Sequence, residues 1–412
     1  MKQHVLLTIL LGLLVVACGK GDDDPHVDDQ GVDETLACTT TADDSTTSTR
    51  IRSETVGSPV YRQLSGVRQT SVGGMVTIDY MVHEPGGQPQ AILFLISGGN
   101  LNSNISGNEG GPPTSASGNF LVRSAHLFAA RGFYVITMDR PNDAMVGPGY
   151  VMDAYRTSPR HAVDISRIIN SEIANSRVSN DLPMFIAGTS RGSISAVAQY
   201  ALAEGILISG PLTEDTRAGA FPLDNSSSNA ASRPSRVTSP VSVLYHVSDA
   251  CSYTPTSKAK VLHTQLTSAP AVATKGLSGG YNQIGYTSDC DANAFHGFYG
   301  IETCAVDQET NWLNGVLPTV ASNRPTAGTT GYASGTTSID LSTLVSDVAG
   351  GALSYSLPFG ETTLGGSVSV DAAGVVTYTP SGTATSGALD YFVYTVREAS
   401  GGLAHNVVYM TQ

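Results

Sequence analysis

Gly188-Thr189-Ser190-Arg191-Gly192 sets a serine between two glycines, a pattern that can expose a hydroxyl on a sharp turn for nucleophilic chemistry. The pattern alone says little in a chain with 44 glycines, and Gly276-Leu277-Ser278-Gly279-Gly280 repeats it. Context separates the two. Ser190 follows the apolar run Met184–Ala187 and precedes helical spacing over Ser193–Leu202, the strand–turn–helix that such a serine needs. Ser278 lies in a Gly/Ser stretch followed by Tyr281, Asn282 and Gln283, with no helical pattern behind it, and is expected in a loop. A serine hydroxyl is a weak nucleophile at neutral pH. It requires a base, usually His, and the base requires a carboxylate to orient it.

The elements that would position these groups are short apolar runs separated by helical spacings. Met75–Val82 reads as a strand stopped by Pro85-Gly86-Gly87. Ala91–Ile96, Phe133–Met138, Pro183–Ala187 and Val241–Val247 are apolar on both faces, as strands buried on both sides must be. Between them, Val163, Ile165, Ile168, Ile169 and Ile173 mark one face of a helix from Pro159 to about Asn175; Ala196, Val197, Tyr200 and Ala201 mark another. A last helix is expected around Thr303–Leu313. Strands alternating with helices predict an α/β fold with a mainly parallel sheet covered on both faces.

The serine motif, Phe133-Tyr-Val-Ile-Thr-Met-Asp139 and Gly205-Ile-Leu-Ile-Ser209 make residues 60–317 resemble the α/β-hydrolase superfamily. That resemblance implies a triad in the chain order serine, acid, histidine. Asp249 lies just past the run Val241–Val247, where the acid of that fold sits, whereas Asp289 and Asp291 follow no clear strand. Of the downstream histidines, His246 is within a strand run, His263 within a helical stretch (Lys258–Leu266) and His405 near the C-terminus. His296, in a loop before the last helix, is the candidate base. The resemblance also implies oxyanion donors, here the backbone N–H of Arg191 and of Gly99 in Leu95-Ile-Ser-Gly-Gly-Asn100. The Arg191 guanidinium suits either an anionic substrate group or a structural salt bridge. The expected activity is cleavage of a small or polymeric ester.

The N-terminus begins with Lys2 and an apolar run, Val5–Ala17, too short to span a bilayer comfortably. It ends in Val15-Val16-Ala17-Cys18-Gly19, which resembles the lipobox of bacterial lipoproteins. Lipidation of Cys18, membrane attachment and an extracytoplasmic location are therefore expected. Between Gly19 and Glu54 there are ten Asp/Glu against three Lys/Arg and few apolar residues, the composition of a disordered acidic tether. Of five cysteines, four remain once Cys18 carries lipid. Cys251 lies two residues after Asp249 and Cys290 six before His296, so a bridge between them would hold the acid and base loops together; Cys38–Cys304 follows by elimination.

Past Pro318, a Gly/Thr/Ala-rich stretch carries one charge, Arg324, and reads as a linker. The short runs Ala352–Leu357, Ser367–Val370, Val375–Thr379 and Tyr391–Val396 predict a small antiparallel sandwich. Gly374-Val-Val-Thr-Tyr-Thr-Pro380 and Tyr391-Phe-Val-Tyr-Thr-Val396 make it resemble bacterial Ig-like and cadherin-like modules. The expected division is signal peptide 1–18, tether 19–58, hydrolase domain 59–317, linker 318–338 and sandwich 339–412. A net charge of −13, with no cluster of Lys/Arg, argues against nucleic acid as a partner. No His-Glu-x-x-His, Cys-x-x-Cys or Gly-x-Gly-x-x-Gly at a strand–helix junction is present, so no metal or redox cofactor is expected. Two rival readings keep the same elements: a surface adhesion or polymer-binding protein on an inactive hydrolase scaffold, and a polymer depolymerase.

Overall fold

The computed structural model describes residues 35–40, 57–115, 117–144, 151–217, 219–320, 324–347 and 350–412. The signal peptide, Cys18 and most of the acidic tether lie outside these residues.

The centre is a nine-stranded sheet. Its strands are β1 (Leu36–Ala37), β2 (Val60–Gln69), β3 (Met75–His83), β4 (Ala91–Ile96), β7 (Phe133–Met138), β8 (Met184–Thr189), β9 (Gly205–Ser209), β10 (Val241–His246) and β11 (Val272–Ser278), while β5 (Ile105–Ser106) and β6 (Thr114–Ser115) form a small hairpin outside it. The order across the sheet is β1-β11-β10-β9-β8-β4-β7-β3-β2. All neighbours from β1 to β7 are parallel; β3 is antiparallel to both β7 and β2. This is the α/β-hydrolase arrangement.

Every residue of β4, β7, β8, β9 and β10 is buried, which explains their largely apolar sequences. Side chains alternate between the faces. Along β4, Ile92, Phe94 and Ile96 join one core, and Ala91, Leu93 and Leu95 join the other. The first core is closed by α2 (Val151–Arg156), α3 (Pro159–Ala174) and α4 (Gly192–Ala198), through Tyr155, Ile165, Ile169, Ile194 and Val197. The second is closed by α1 (Phe120–Ala130) and, after the short α5 (Thr256–Val261), by α6 (Glu302–Val316), through Leu121, Phe128, Ala305 and Leu313.

Two expectations are corrected here. The stretch 19–58 is not all tether: Leu36–Ala37 pairs with Leu277–Ser278, and Cys38 is bonded to Cys304 on α6. A two-residue strand has too little apolar length to be read from sequence, and a covalent link from a helix holds it in place. Ser278 is not in a loop but is the last residue of β11, whose Lys275 and Gly276 hide the strand pattern.

The C-terminal region holds β12 (Thr326–Ala327), β13 (Thr330–Tyr332), β14 (Ser338–Asp340), β15 (Val345–Ser346), β16 (Leu353–Ser356), β17 (Ser367–Val370), β18 (Val375–Thr379), β19 (Leu389–Glu398) and β20 (Leu403–Thr411). They form two small sheets, β13-β20-β19-β16 and β14-β18-β17, with β12 paired to β15. Ile339, Val376, Tyr378, Phe392, Tyr394 and Val408 fill their shared core. The expected linker 318–338 is thus partly strand, and its single charge is buried. Arg324 pairs with Glu204 and donates to the Leu403 carbonyl at 2.9 Å.

The opposite face of β19 and β20 is also buried. Tyr391, Val393 and Val407 join the sheet's first core against α3, and Ser166 on α3 hydrogen-bonds His405 Nδ1 at 2.9 Å. Glu204 precedes β9, and Asn180, before β8, reaches Pro325 and Thr326. The sandwich is therefore fused to the amino ends of the parallel strands.

Candidate active site

The carboxyl ends of four parallel strands, β10, β8, β4 and β7, carry the residues of the site. Ser190 follows β8 directly, Gly99 lies three residues past β4, Asp139 one past β7 and Asp249 three past β10. This is where open α/β sheets bind ligands.

Ser190 has φ +52°, a left-handed conformation rare for a residue with a side chain. Its surroundings enforce it. Ser190 N–H donates to Ser209 O at 2.9 Å, and the Ser190 carbonyl accepts from the backbone and hydroxyl of Ser193 at 3.0 and 2.5 Å. The flanking glycines are required by close approach: a Cβ at Gly188 would lie 2.2 Å from Gly192 O, and one at Gly192 would lie 2.3 Å from Ile96 O.

His296 Nε2 lies 3.1 Å from Ser190 Oγ, and its Nδ1 lies 3.0 Å from Asp249 Oδ2. A carboxylate only accepts, so Nδ1 carries the proton and Nε2 presents its lone pair to the serine hydroxyl. Asp249 is fixed in turn. Its Oδ1 accepts from Cys251 N–H at 2.9 Å, and its Oδ2 accepts from the Thr254 hydroxyl at 2.8 Å. The Cys251–Cys290 disulfide joins the loop that carries Asp249 to the loop that leads to His296.

Three charges, Arg156 and Asp139 buried and Arg123 partly so, hold the loops around this triad. Arg123, on α1, donates to the carbonyls of Gly118, Ala292 and Gly297 and to Glu302, tying the His296 turn to two helices. Burial lowers its pKa from the usual guanidinium range. Arg156, fully buried on α2, donates to Ser97 O at 2.9 Å, Gly98 O at 3.3 Å, Gly99 O at 3.2 Å and Ser195 Oγ at 2.8 Å. Burial lowers its pKa to about 10. Carbonyl and N–H of a trans peptide point in opposite directions. Holding Gly98 O therefore turns the Gly99 N–H away from Arg156. Asp139 accepts from Ser103 N–H at 2.9 Å and Ile105 N–H at 2.7 Å, so its carboxylate fixes the strand of chain that runs over the cavity. Burial raises its pKa while those N–H groups oppose the rise.

The cavity measures about 500 Å³ and is lined by Ser190, His296, Arg191 and Gly99 together with Asn100, Asn102, Asn104 and Asn119. The Arg191 guanidinium is not presented to it as a free cation. It lies 3.2 Å from Asp153 and 2.7 Å from Asp215, both buried, so of the two uses expected for it the salt bridge is the one seen. His246 is a sheet histidine: Nδ1 accepts from Ser248 N–H at 3.0 Å and Nε2–H donates to Gly279 O at 2.8 Å. Burial lowers its pKa. His263 lies beyond α5 against Lys260 O, and His405 is in β20. Asp291 caps its own loop through Asn293 and Thr287. The Ser278 hydroxyl faces Leu36 O at 3.5 Å, far along the sheet edge.

Sequence reasoning did not find Thr254, Arg123, Arg156 or Asp139. A signal existed only for Asp139, which follows the run Phe133–Met138 as Asp249 follows its own.

Residues 317–411 match the model of the Bacterial Ig domain family. Among solved structures, the chain is similar to the uncomplexed acylaminoacyl peptidase of Pyrococcus horikoshii, at 12% identity and a TM-score of 0.40, covering 63% of this chain and 42% of that one. It is similar to a dienelactone hydrolase from Anabaena variabilis ATCC 29413, at 11% identity and a TM-score of 0.37, covering 63% and 98%. A cold-adapted esterase from an Arctic intertidal metagenomic library aligns at 14% identity and a TM-score of 0.36, covering 54% and 86%. The chain spans about two fifths of the peptidase's length. No curated protein matches it in sequence. The fold rests on the strand order of the chain itself. By that order the larger part has the α/β-hydrolase fold, and by the family match its C-terminal part is similar to bacterial Ig domains.

Proposed function

We propose that this chain is a serine hydrolase that cleaves an ester, held outside the cytoplasm by a lipid on Cys18. The observation that carries the reading is the continuous path from Ser190 Oγ to His296 Nε2 at 3.1 Å and from His296 Nδ1 to Asp249 Oδ2 at 3.0 Å. In the reaction Ser190 Oγ attacks the ester carbonyl as His296 takes its proton. Asp249 stabilises the imidazolium, and the N–H groups of Arg191 and Gly99 receive the developing oxyanion. His296 then gives the proton to the leaving alkoxide. Water, activated by the same histidine, releases the acid from the acyl-enzyme. Two disulfides support an oxidising compartment.

The test is labelling with a fluorophosphonate probe, which reports an activated serine. Wild-type protein and Ser278→Ala are expected to label and Ser190→Ala not to. A folded wild-type protein that fails to label would overturn the reading and favour the adhesion alternative.

A further inference from the structure

The chain that passes over the cavity alternates strictly. Leu101, Ser103 and Ile105 are buried, whereas Asn102, Asn104 and Ser106 are exposed. Asp139 holds the N–H groups of Ser103 and Ile105, so the buried side of this rail is locked and its amide-bearing side is turned outward. Asn104 takes a left-handed φ of +50°, which asparagine tolerates better than most residues. No hydrogen bond within the described residues occupies the side-chain amides of Asn100, Asn102 or Asn104, yet all three line the cavity that holds Ser190.

A second cavity of about 560 Å³ shares Asn102 and Asn104 with the first and continues past Gln63, Thr77, Asp79 and Asn142. The two meet at Asn102 and Asn104 and together offer more space than one small ester requires. The lining mixes these amides with apolar surface near Ser190 from Phe120, Leu212, Tyr253, Ala292 and the Cys251–Cys290 disulfide. That apolar surface suits a short acyl group beside the nucleophile, while the amides suit a polar remainder of the substrate. The cations on the lining stand among carboxylates: Arg191 and Arg217 pair with Asp215, and Arg140 shares the second cavity with Asp79 and Asp139, so among the described residues the lining presents no positive cluster to recruit a polyanion.

An amide both donates and accepts, as a hydroxyl does, and a row of uncommitted amides therefore fits a neutral polyhydroxylated ligand. Resting on the serine-hydrolase reading, we infer that the substrate is a short-chain ester of an oligosaccharide, with the sugar units lying along Asn102 and Asn104 and the acyl carbon at Ser190. Ser190 Oγ bonds to the acyl carbon, and the bond from that carbon to the sugar oxygen breaks. The serine proton passes through His296 to the sugar oxygen. Water then displaces the acyl group, so that acylated sugar and water yield free sugar hydroxyl and carboxylic acid.

The experiment compares an acetylated xylo-oligosaccharide of several units, acetylated xylose, p-nitrophenyl acetate and p-nitrophenyl palmitate on the full-length wild-type protein and on Asn102→Ala/Asn104→Ala. Wild-type kcat/KM should be about tenfold or more higher on the oligosaccharide than on the monosaccharide, as loss of two or more hydrogen bonds implies. In the double variant, the ratio of oligosaccharide to p-nitrophenyl acetate turnover should fall about tenfold, mainly through KM. Equal turnover of oligosaccharide and monosaccharide, an unchanged ratio in the variant, or preference for the palmitate would each overturn the substrate class. A protein that labels at Ser190 and cleaves only the aryl acetate loses this inference alone. A protein that neither labels nor cleaves any of the four loses the hydrolase reading as well.

Discussion

Asp249 accepts three hydrogen bonds, and only one of them comes from the histidine. Asp249→Asn keeps the size of the side chain but presents an amide that cannot fix the imidazole tautomer, and kcat should fall by roughly a thousandfold or more with the fold intact. Arg156 acts one step further back. Its guanidinium gathers three carbonyls of the loop that carries Gly99, and lysine, a single point of charge, cannot reproduce that fork. Arg156→Lys should lower kcat on p-nitrophenyl acetate by roughly tenfold to a hundredfold with a smaller change in KM. A purely structural role for Arg156 would lower Tm and leave kcat of the folded fraction unchanged. Glu309, buried on α6, accepts from the Ser209 hydroxyl, and burial pushes its pKa up to about 7. It binds its proton more tightly folded than unfolded, so its contribution is whole below about pH 4.5 and is lost as pH rises towards 7. Urea unfolding should show wild-type stability falling by up to a few kcal/mol across that window relative to Glu309→Gln, which cannot titrate.

At the scale of elements, the two disulfides do different work. Cys38–Cys304 fastens an edge strand to α6 over a separation of 266 residues, whereas Cys251–Cys290 joins the two loops that carry Asp249 and His296. Cys38→Ser/Cys304→Ser should cost about 2–4 kcal/mol of stability while fluorophosphonate labelling of the folded protein continues. Cys251→Ser/Cys290→Ser should instead slow labelling sharply at a smaller cost in Tm. The same scale explains what was legible in the sequence. Ala91–Ile96 and Phe133–Met138 were readable to the residue because strands buried on both faces are apolar at nearly every position. Val60–Gln69 was not, since half-exposed positions there carry Arg62, Gln63 and Ser65. Ser190, Asp249 and His296 could be singled out because each stands at a boundary between elements. Arg123 and Arg156 could not, because a charged residue in a helix reads as a solvated one until the fold buries it.

The whole molecule is less divisible than its sequence suggests. Tyr391, Val393 and Val407 belong to the core of the large sheet, and Arg324 compensates the buried carboxylate of Glu204. Truncation after Val316 would expose that apolar face of α3 and strand Glu204, so the shortened protein is expected to aggregate or melt well below the full chain. Arg324→Ala isolates the electrostatic part and should cost roughly 3–5 kcal/mol, read by denaturant unfolding. The family match beginning at residue 317, before the first sandwich strand, agrees with a unit that includes the supposed linker.

The direction of β1 bears on access. It runs parallel to β11 but pairs only with Leu277 and Ser278, the last two residues of that strand, so it lies at the carboxyl end of the sheet, the end that carries Ser190. With the proposed lipid on Cys18, the stretch to Thr35 reaches at most roughly 60 Å when fully extended. The leash thus joins the sheet at its edge, on the catalytic end. A pull towards the bilayer would therefore keep the catalytic end of the sheet on the membrane side, and substrates would have to come within that reach of the lipid surface.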